Sequence, residues 1–286
     1  MANSGSGSAE YIRHHLTDWC VGCGADHQPS GLLDFGAFTI DLIIVGLICA
    51  GLVALLALFV RKRLTVEDPS GIQMAMEAGV EYVSDQVGQV FHKRNDFVGA
   101  MALTIFLWVT VMNLNDLIPV DLVPSVLGAI GHLLGFEHVY FRILPTAALD
   151  TPFAMAIVVF VIMVYYQLRA NGMKGYVKRF LTHPYGKYAA PANILTTLID
   201  DLSKPVSLAL RLFGNMFAGE LIFALLAMLT LSALSPPSAM VAVWAPLHFV
   251  GGFVWSVFDL LICVLQAFIF AVLSIVYLGM AQQTDH

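Results

Sequence analysis

Apolar and polar positions alternate along this chain in long blocks rather than residue by residue. Three apolar stretches are close to the length of one bilayer crossing, about 20 residues: Phe38–Val60, Phe97–Leu117 and Pro152–Leu168. Two more, Pro191–Leu234 and Val241–Ala281, are about twice as long. The pattern predicts an all-α polytopic membrane protein with about five membrane-crossing segments. Between the first two, Ile72, Ala75, Met76, Gly79, Val80, Val83, Val87, Val90 and Phe91 recur near a helical period. Glu77, Glu81, Asp85 and Gln89 form the opposite stripe. Residues 69–92 are thus expected to be an amphipathic helix, lying on the inner membrane surface, against a partner, or packed within the fold.

The two longest segments exceed what a single upright crossing needs. As helix, Pro191–Leu234 would run roughly 66 Å, against a hydrocarbon core of about 30 Å. Such a helix is strongly tilted, broken or partly in the membrane plane, and Pro205 is a place to bend it. Ser235-Pro236-Pro237-Ser238 makes a turn. Residues 191–234 and 238–282 are therefore expected to form a long, tilted helical hairpin laid against something large. Internal repeats, common in secondary transporters, are not evident. Residues 1–35 form a polar tail and 36–286 the membrane domain. Residues 118–150 form an outer loop whose region carries Asp116, Asp121, Glu137 and Asp150. It is read either as a solvated loop or as an acidic surface that concentrates cations.

Composition sharpens this picture. The chain is 58% hydrophobic and 12% charged, where soluble domains carry about 25% charge. Its net charge of −6 therefore says little about partners. Arg61, Lys62, Arg63, Lys93, Arg94, Arg169, Lys174, Lys178, Arg179 and Lys187 fall on one side of a five-crossing chain, and Arg13 and Arg142 on the other. The positive-inside rule puts the N-terminus outside and the C-terminus inside. The first 30 residues lack the apolar core of a cleavable signal. Cys49 and Cys263 read as packing residues. Cys20 and Cys23, with His14, His15 and His27 nearby, fit a disulfide, a metal site or two free thiols alike. There is no Walker pattern, glycine-rich phosphate loop or nucleophile–base motif, which argues against a catalyst acting alone.

Arg211 lies deep in the fourth apolar segment, and no Lys or Arg follows it. A guanidinium near the bilayer centre costs about 2.5–3.5 kcal/mol on insertion scales, so an intramembrane arginine reads as functional. On a helix, Lys204, Ser207, Arg211 and Asn215 share one stripe. Glu220, nine residues on at about 100° per residue, points the other way. On the returning helix Asp259 and Gln266 share a stripe, and Asp259 can approach Glu220 if the hairpin packs antiparallel. His248 lies further toward the outer end, and Asp116, Asp121 and Asp41 are further candidates. Acids, amides and a fixed cation on two membrane helices read as an ion path. The plainer readings are interhelical glue for Asn215 and Gln266 and snorkelling for Lys204.

The run Ser203-Lys204-Pro205-Val206-Ser207-Leu208-Ala209-Leu210-Arg211-Leu212-Phe213-Gly214-Asn215-Met216-Phe217-Ala218-Gly219-Glu220-Leu221-Ile222-Phe223 resembles the signature of the subunit a family of F-type ATP synthases. Leu265–Phe270, Ile275–Leu278, Met112–Leu114 and Asp116–Pro119 resemble it too. The likeness covers roughly 36–286; the preceding tail matches poorly. It implies a membrane stator facing a c-ring of small hairpin subunits, each with one membrane carboxylate. Two aqueous half-channels would reach that ring from opposite sides of a bacterial inner membrane. Arg211 would be the essential arginine between them, with Asn215 and Gln266 beside it and Glu220 lining the outer half-channel. Peripheral-stalk b subunits and, indirectly, the catalytic F1 head are implied partners. No cofactor and no nucleic acid are expected; the translocated ion is a proton, with sodium a further option. Many relatives have His where this chain has Asp259, so Glu220 and Asp259 are expected to share a proton. Two competing readings are a secondary transporter using Arg211 for an anionic substrate and a non-conducting scaffold.

Overall fold

The computed structural model of the chain describes residues 19–23, 36–66, 69–91, 96–118, 122–123, 126, 141–182, 184–233 and 241–282. Six long helices carry it: α1 (Ile40–Lys62), α2 (Gly71–Val90), α3 (Asp96–Leu114), α4 (Asp150–Thr182), α5 (Ala190–Ala233) and α6 (Val241–Gln282). All but α2 are long and apolar enough to cross a membrane. α1 shows why. Leu42, Val45 and Cys49 are buried at helical spacing, while Ile43, Ile44, Leu47 and Ile48 on the other faces are exposed. A helix in water would place polar residues there; an apolar outer face suits lipid.

Most boundaries fall close to the predicted ones. The exception is α4, which continues past Leu168 to Thr182 through Gly172, whose positive φ of 66° breaks the helix. A glycine tolerates that backbone because it has no Cβ to meet the adjacent carbonyl. Pro205 is accommodated inside α5, and Pro246 inside α6. The only strands among the described residues are β1 (Cys20–Val21) and β2 (Phe38–Thr39), paired antiparallel with Cys20 opposite Thr39.

The chain divides into two compact units. One contains residues 53–109, 149–213 and 266–286. Here α2 starts at Ser70, whose hydroxyl caps the helix by accepting from the Gln73 N–H. α2 packs against α6: Tyr82 meets Phe268, with ring centroids 5.7 Å apart, and Gly279 lies so close to Val90 that no Cβ fits there. Its Glu77, Glu81 and Asp85 are exposed, as are Ile72, Met74 and Val80. At the start of α5, fully buried Asn193 accepts from the Tyr185 N–H at 2.8 Å and donates to the carbonyls of Leu181 and Gly186 at 2.9 and 2.7 Å. One amide thus fixes the turn between α4 and α5. The other unit contains residues 1–52, 110–148 and 214–265. It holds α5 from Gly214 onward, α6 up to Leu265, and the candidate site.

Candidate functional site

The described acids of the second unit and their neighbours converge from six pieces of chain. Asp41 comes from the first turn of α1, Asn113 from the end of α3, and Asp116 from the 3-10 turn Asn115–Leu117 that follows it. Arg142 comes from the segment before α4, Gly219 and Glu220 from α5, and Asp259 and Cys263 from α6. Asp41, Asn113, Asp116, Arg142, Glu220 and Asp259 are all buried.

Arg142 organises one half. Its Nε donates to Glu220 Oε1 at 3.1 Å and its Nη2 to Glu220 Oε2, so the guanidinium grips the carboxylate with both forks. Nη2 also donates to the Ala147 carbonyl at 3.1 Å. The Arg142 backbone N–H donates to Asp41 Oδ2 at 3.1 Å, and the Trp19 N–H reaches the same oxygen at 3.0 Å. Asp41 Oδ1 takes the Leu42 N–H at 3.0 Å. A buried ion pair is tolerable only when its remaining hydrogen-bonding groups are met. Here the two-pronged geometry and backbone partners supply that.

The other half lacks such donors. A Cβ on residue 219 would lie 2.7 Å from Asp116 Oδ2 and 2.9 Å from Asp259 Oδ1, so the two acids flank one point on α5. Neither of those buried oxygens has a hydrogen-bond partner among the described residues. Cys263 Sγ lies 3.6 Å from Asp259 Oδ2 and 3.4 Å from the Asn113 carbonyl. Asn113 Nδ2 donates to the Cys263 carbonyl at 3.2 Å, which locks α3 to α6 at this level. Asn115 Nδ2 reaches Cys49 Sγ and the Ile143 carbonyl, both at 3.4 Å. Chemically, this is a place where, among the described residues, carboxyl groups outnumber cations and have oxygen lone pairs to spare. It can take up, hold and pass on protons.

The structure rearranges the expected contacts. Glu220, expected to share a proton with Asp259, has Arg142 as its immediate partner; the acid facing Asp259 across Gly219 is Asp116. Arg142, Gly219 and Cys263 carry this geometry and were not singled out by sequence. The only signal for Arg142 is that it is a rare cation in a basic-poor outer segment; Cys263 stands four residues after Asp259, one helical turn on. Cys20 and Cys23 are joined as a disulfide. Asp121 lies outside the described residues, as do His14, His15 and His27. His248 belongs to α6.

The first unit holds the remaining candidates. Arg211 is exposed on α5, as are Ser207 and the apolar Val206 and Leu210. No carboxylate among the described residues pairs with it. Lys204 has a structural role: its ammonium lies 3.0 Å from Asp201 and 3.2 Å from Asp200, and Arg179 reaches Asp201 at 3.1 Å. Gln266 is buried on α6, and no hydrogen bond joins it to Arg211 among the described residues. Asn215, half-buried, lies on the α5 segment assigned to the other unit.

The profile of a family described as ATP synthase A chain matches residues 42–279. The chain belongs to that family. The match runs from the residue after Asp41 to beyond Gln266, so it takes in nearly all of the buried cluster and Arg211. Among similar proteins of the family is the ATP synthase subunit a of Coxiella burnetii (strain CbuG_Q212), 39% identical over 277 residues, covering 97% of each chain. That of Ruthia magnifica subsp. Calyptogena magnifica is 37% identical over 292 residues, covering 98% of this chain and 97% of its own. That of Marinomonas sp. (strain MWYL1) is 38% identical over 287 residues, covering 96% and 97%. Together with the five apolar helices, this makes the chain a multi-pass membrane member of the ATP synthase A chain family.

Proposed function

We propose that the chain is subunit a of an ATP synthase, the non-catalytic stator that carries protons between the membrane faces and a ring of carboxylate-bearing subunits. The observation that carries this reading is the buried cluster in which Asp41, Asp116, Glu220 and Asp259 are accompanied, among the described residues, by the guanidinium of Arg142. Charges inside a membrane need a counter-charge or a proton. Arg142 serves Glu220; a proton shared between Asp116 and Asp259 serves the other two unpartnered oxygens. These acids form the outer half-channel, which loads protons onto the ring. Asn215 continues the polar path along α5, and Gln266 does so on α6.

Arg211 works differently. An arginine stays protonated in proteins, so it is a fixed cation and a poor relay. Exposed on an apolar helix, it awaits a carboxylate from another chain. A ring carboxylate passing it is held as the anion, having released its proton to one channel before taking up another from the second. The fixed charge also bars direct leakage between channels. Each proton then delivers about 2.3 kcal/mol per 100 mV of membrane potential. The exposed apolar residues beside Arg211 fit a ring as neighbour, and α2 with the basic inner segments offers contacts to peripheral-stalk b subunits and, through them, the catalytic head. The distribution of basic residues supports a C-terminus on the cytoplasmic side of a bacterial inner membrane and an N-terminus on the periplasmic side.

The test is ATP-driven acidification of inverted membrane vesicles carrying Asp116→Asn together with Asp259→Asn, with assembly checked by copurification of the ring. Lost pumping in an assembled complex is expected. Full pumping would remove these acids from the path.

A further inference from the structure

The proton-path reading makes no use of the disulfide at the start of the described chain, yet the structure ties it to the buried cluster. Cys20 and Cys23 close a four-residue turn. Gly22 takes a positive φ of 86°, and its Cα lies so close to the Gly36 carbonyl that no Cβ fits. The turn begins in β1, whose pairing with β2 is only two residues long. One further backbone bond, from the Ile40 N–H to the Trp19 carbonyl at 3.1 Å, extends it. Even a complete two-stranded hairpin is marginal in water, so this pairing depends on whatever fixes the turn.

What the pairing positions is the Trp19 N–H, 3.0 Å from Asp41 Oδ2. That same oxygen accepts the Arg142 N–H, and Arg142 grips Glu220. Trp19 is nearly half exposed and Val21 is exposed, whereas Asp41 is fully buried. The disulfide-closed turn therefore sits at the surface while one backbone N–H reaches the carboxylate that anchors the ion pair.

We propose that Cys20–Cys23 is a thiol–disulfide exchange site whose state sets how firmly Asp41 anchors Arg142. A dithiol reductant attacks one sulfur and forms a mixed disulfide, and the reductant's second thiol then displaces the other cysteine. The reductant leaves as its own cyclic disulfide, and Cys20 and Cys23 are left as two thiols. With the turn released, the short β1–β2 pairing opens and Trp19 leaves Asp41. Water then competes for Asp41 Oδ2, and the Arg142 backbone loses its fixed point. The consequence for pumping rests on the reading of Arg142 and Glu220 as part of the proton path; the exchange site itself does not.

Amide hydrogen exchange on the assembled complex, oxidised and after reduction by dithiothreitol, tests this. Complete reduction is verified by the mass shift on alkylation. The amides of Trp19 and Arg142 are expected to exchange at least about tenfold faster after reduction, and ATP-driven pumping to fall about two- to tenfold. The C20S/C23S double variant should match the reduced protein and ignore the reductant. Unchanged Arg142 protection after full reduction overturns the proposal, as does finding both cysteines as free thiols in untreated native membranes. Faster exchange with unchanged pumping upholds the tie and overturns the place of Arg142 and Glu220 in the proton path.

Discussion

Gly219→Ala adds a single methyl group at the point flanked by Asp116 and Asp259. The new carbon would lie 2.7 Å from Asp116 Oδ2 and 2.9 Å from Asp259 Oδ1, whereas ordinary contact begins at 3.4 Å. Each oxygen must retreat on the order of half an ångström, because repulsion rises steeply inside contact. Both belong to buried residues on separate segments, and Asn113 and Cys263 lock those segments together. Overpacking of this kind costs about 1–3 kcal/mol, which an assembled complex survives. The larger effect is functional. A proton shared by two carboxylates requires their oxygens to stay close, and the methyl group wedges them apart. ATP-driven acidification in inverted vesicles, normalised to copurified ring, should fall about tenfold to a hundredfold, the range expected when reacting groups are displaced by up to about an ångström. Gly99→Ala is the matched control: a Cβ there meets nothing within 4 Å, and pumping should be unchanged. Wild-type pumping by an assembled Gly219→Ala complex would refute both the close flanking of residue 219 and the shared proton.

Two further substitutions probe the supports of the site. Arg142→Gln leaves Glu220 buried without its cation and should cost about 3–5 kcal/mol, read as a lower Tm of the purified complex; Arg142→Gln with Glu220→Gln should recover part of that loss, and a double variant no better than the single one would contradict the pairing. Asn193→Ala removes three hydrogen bonds at the α4–α5 turn, each worth about 0.5–1.5 kcal/mol. It should lower Tm and speed exchange of the Tyr185 amide, while unchanged exchange there would exclude the turn-fixing role.

The helices were legible because the membrane imposes a simple rule on sequence. A crossing must be apolar over its whole length, so five long runs name five helices. The second half of α4 was not legible, since Arg169, Lys174, Lys178 and Arg179 end the apolar run although helix resumes after the break at Gly172. Arg211 announced itself because a cation within an apolar run has few structural excuses. Asp259 and Glu220 were found for the same reason, and Asp116 was a further candidate, but which groups they meet was not legible. Arg142 and Asp116 lie outside the long hairpin, and no periodicity relates either one to the helices it meets. Gly219 was invisible because a glycine carries no chemistry of its own; its importance lies in the space it leaves for two carboxylates. Cys263 read as packing because a buried thiol usually is packing, and its nearness to Asp259 emerges only when the helix turn is placed against Asn113.

The central claim is that Arg211 is the fixed charge past which ring carboxylates are carried. ATP-driven acidification and passive proton leak in inverted vesicles carrying Arg211→Ala, with assembly checked by copurification of the ring, test it most directly. Abolished pumping in an assembled complex, with added passive leak, is the predicted result. Unchanged pumping in an assembled complex would contradict it.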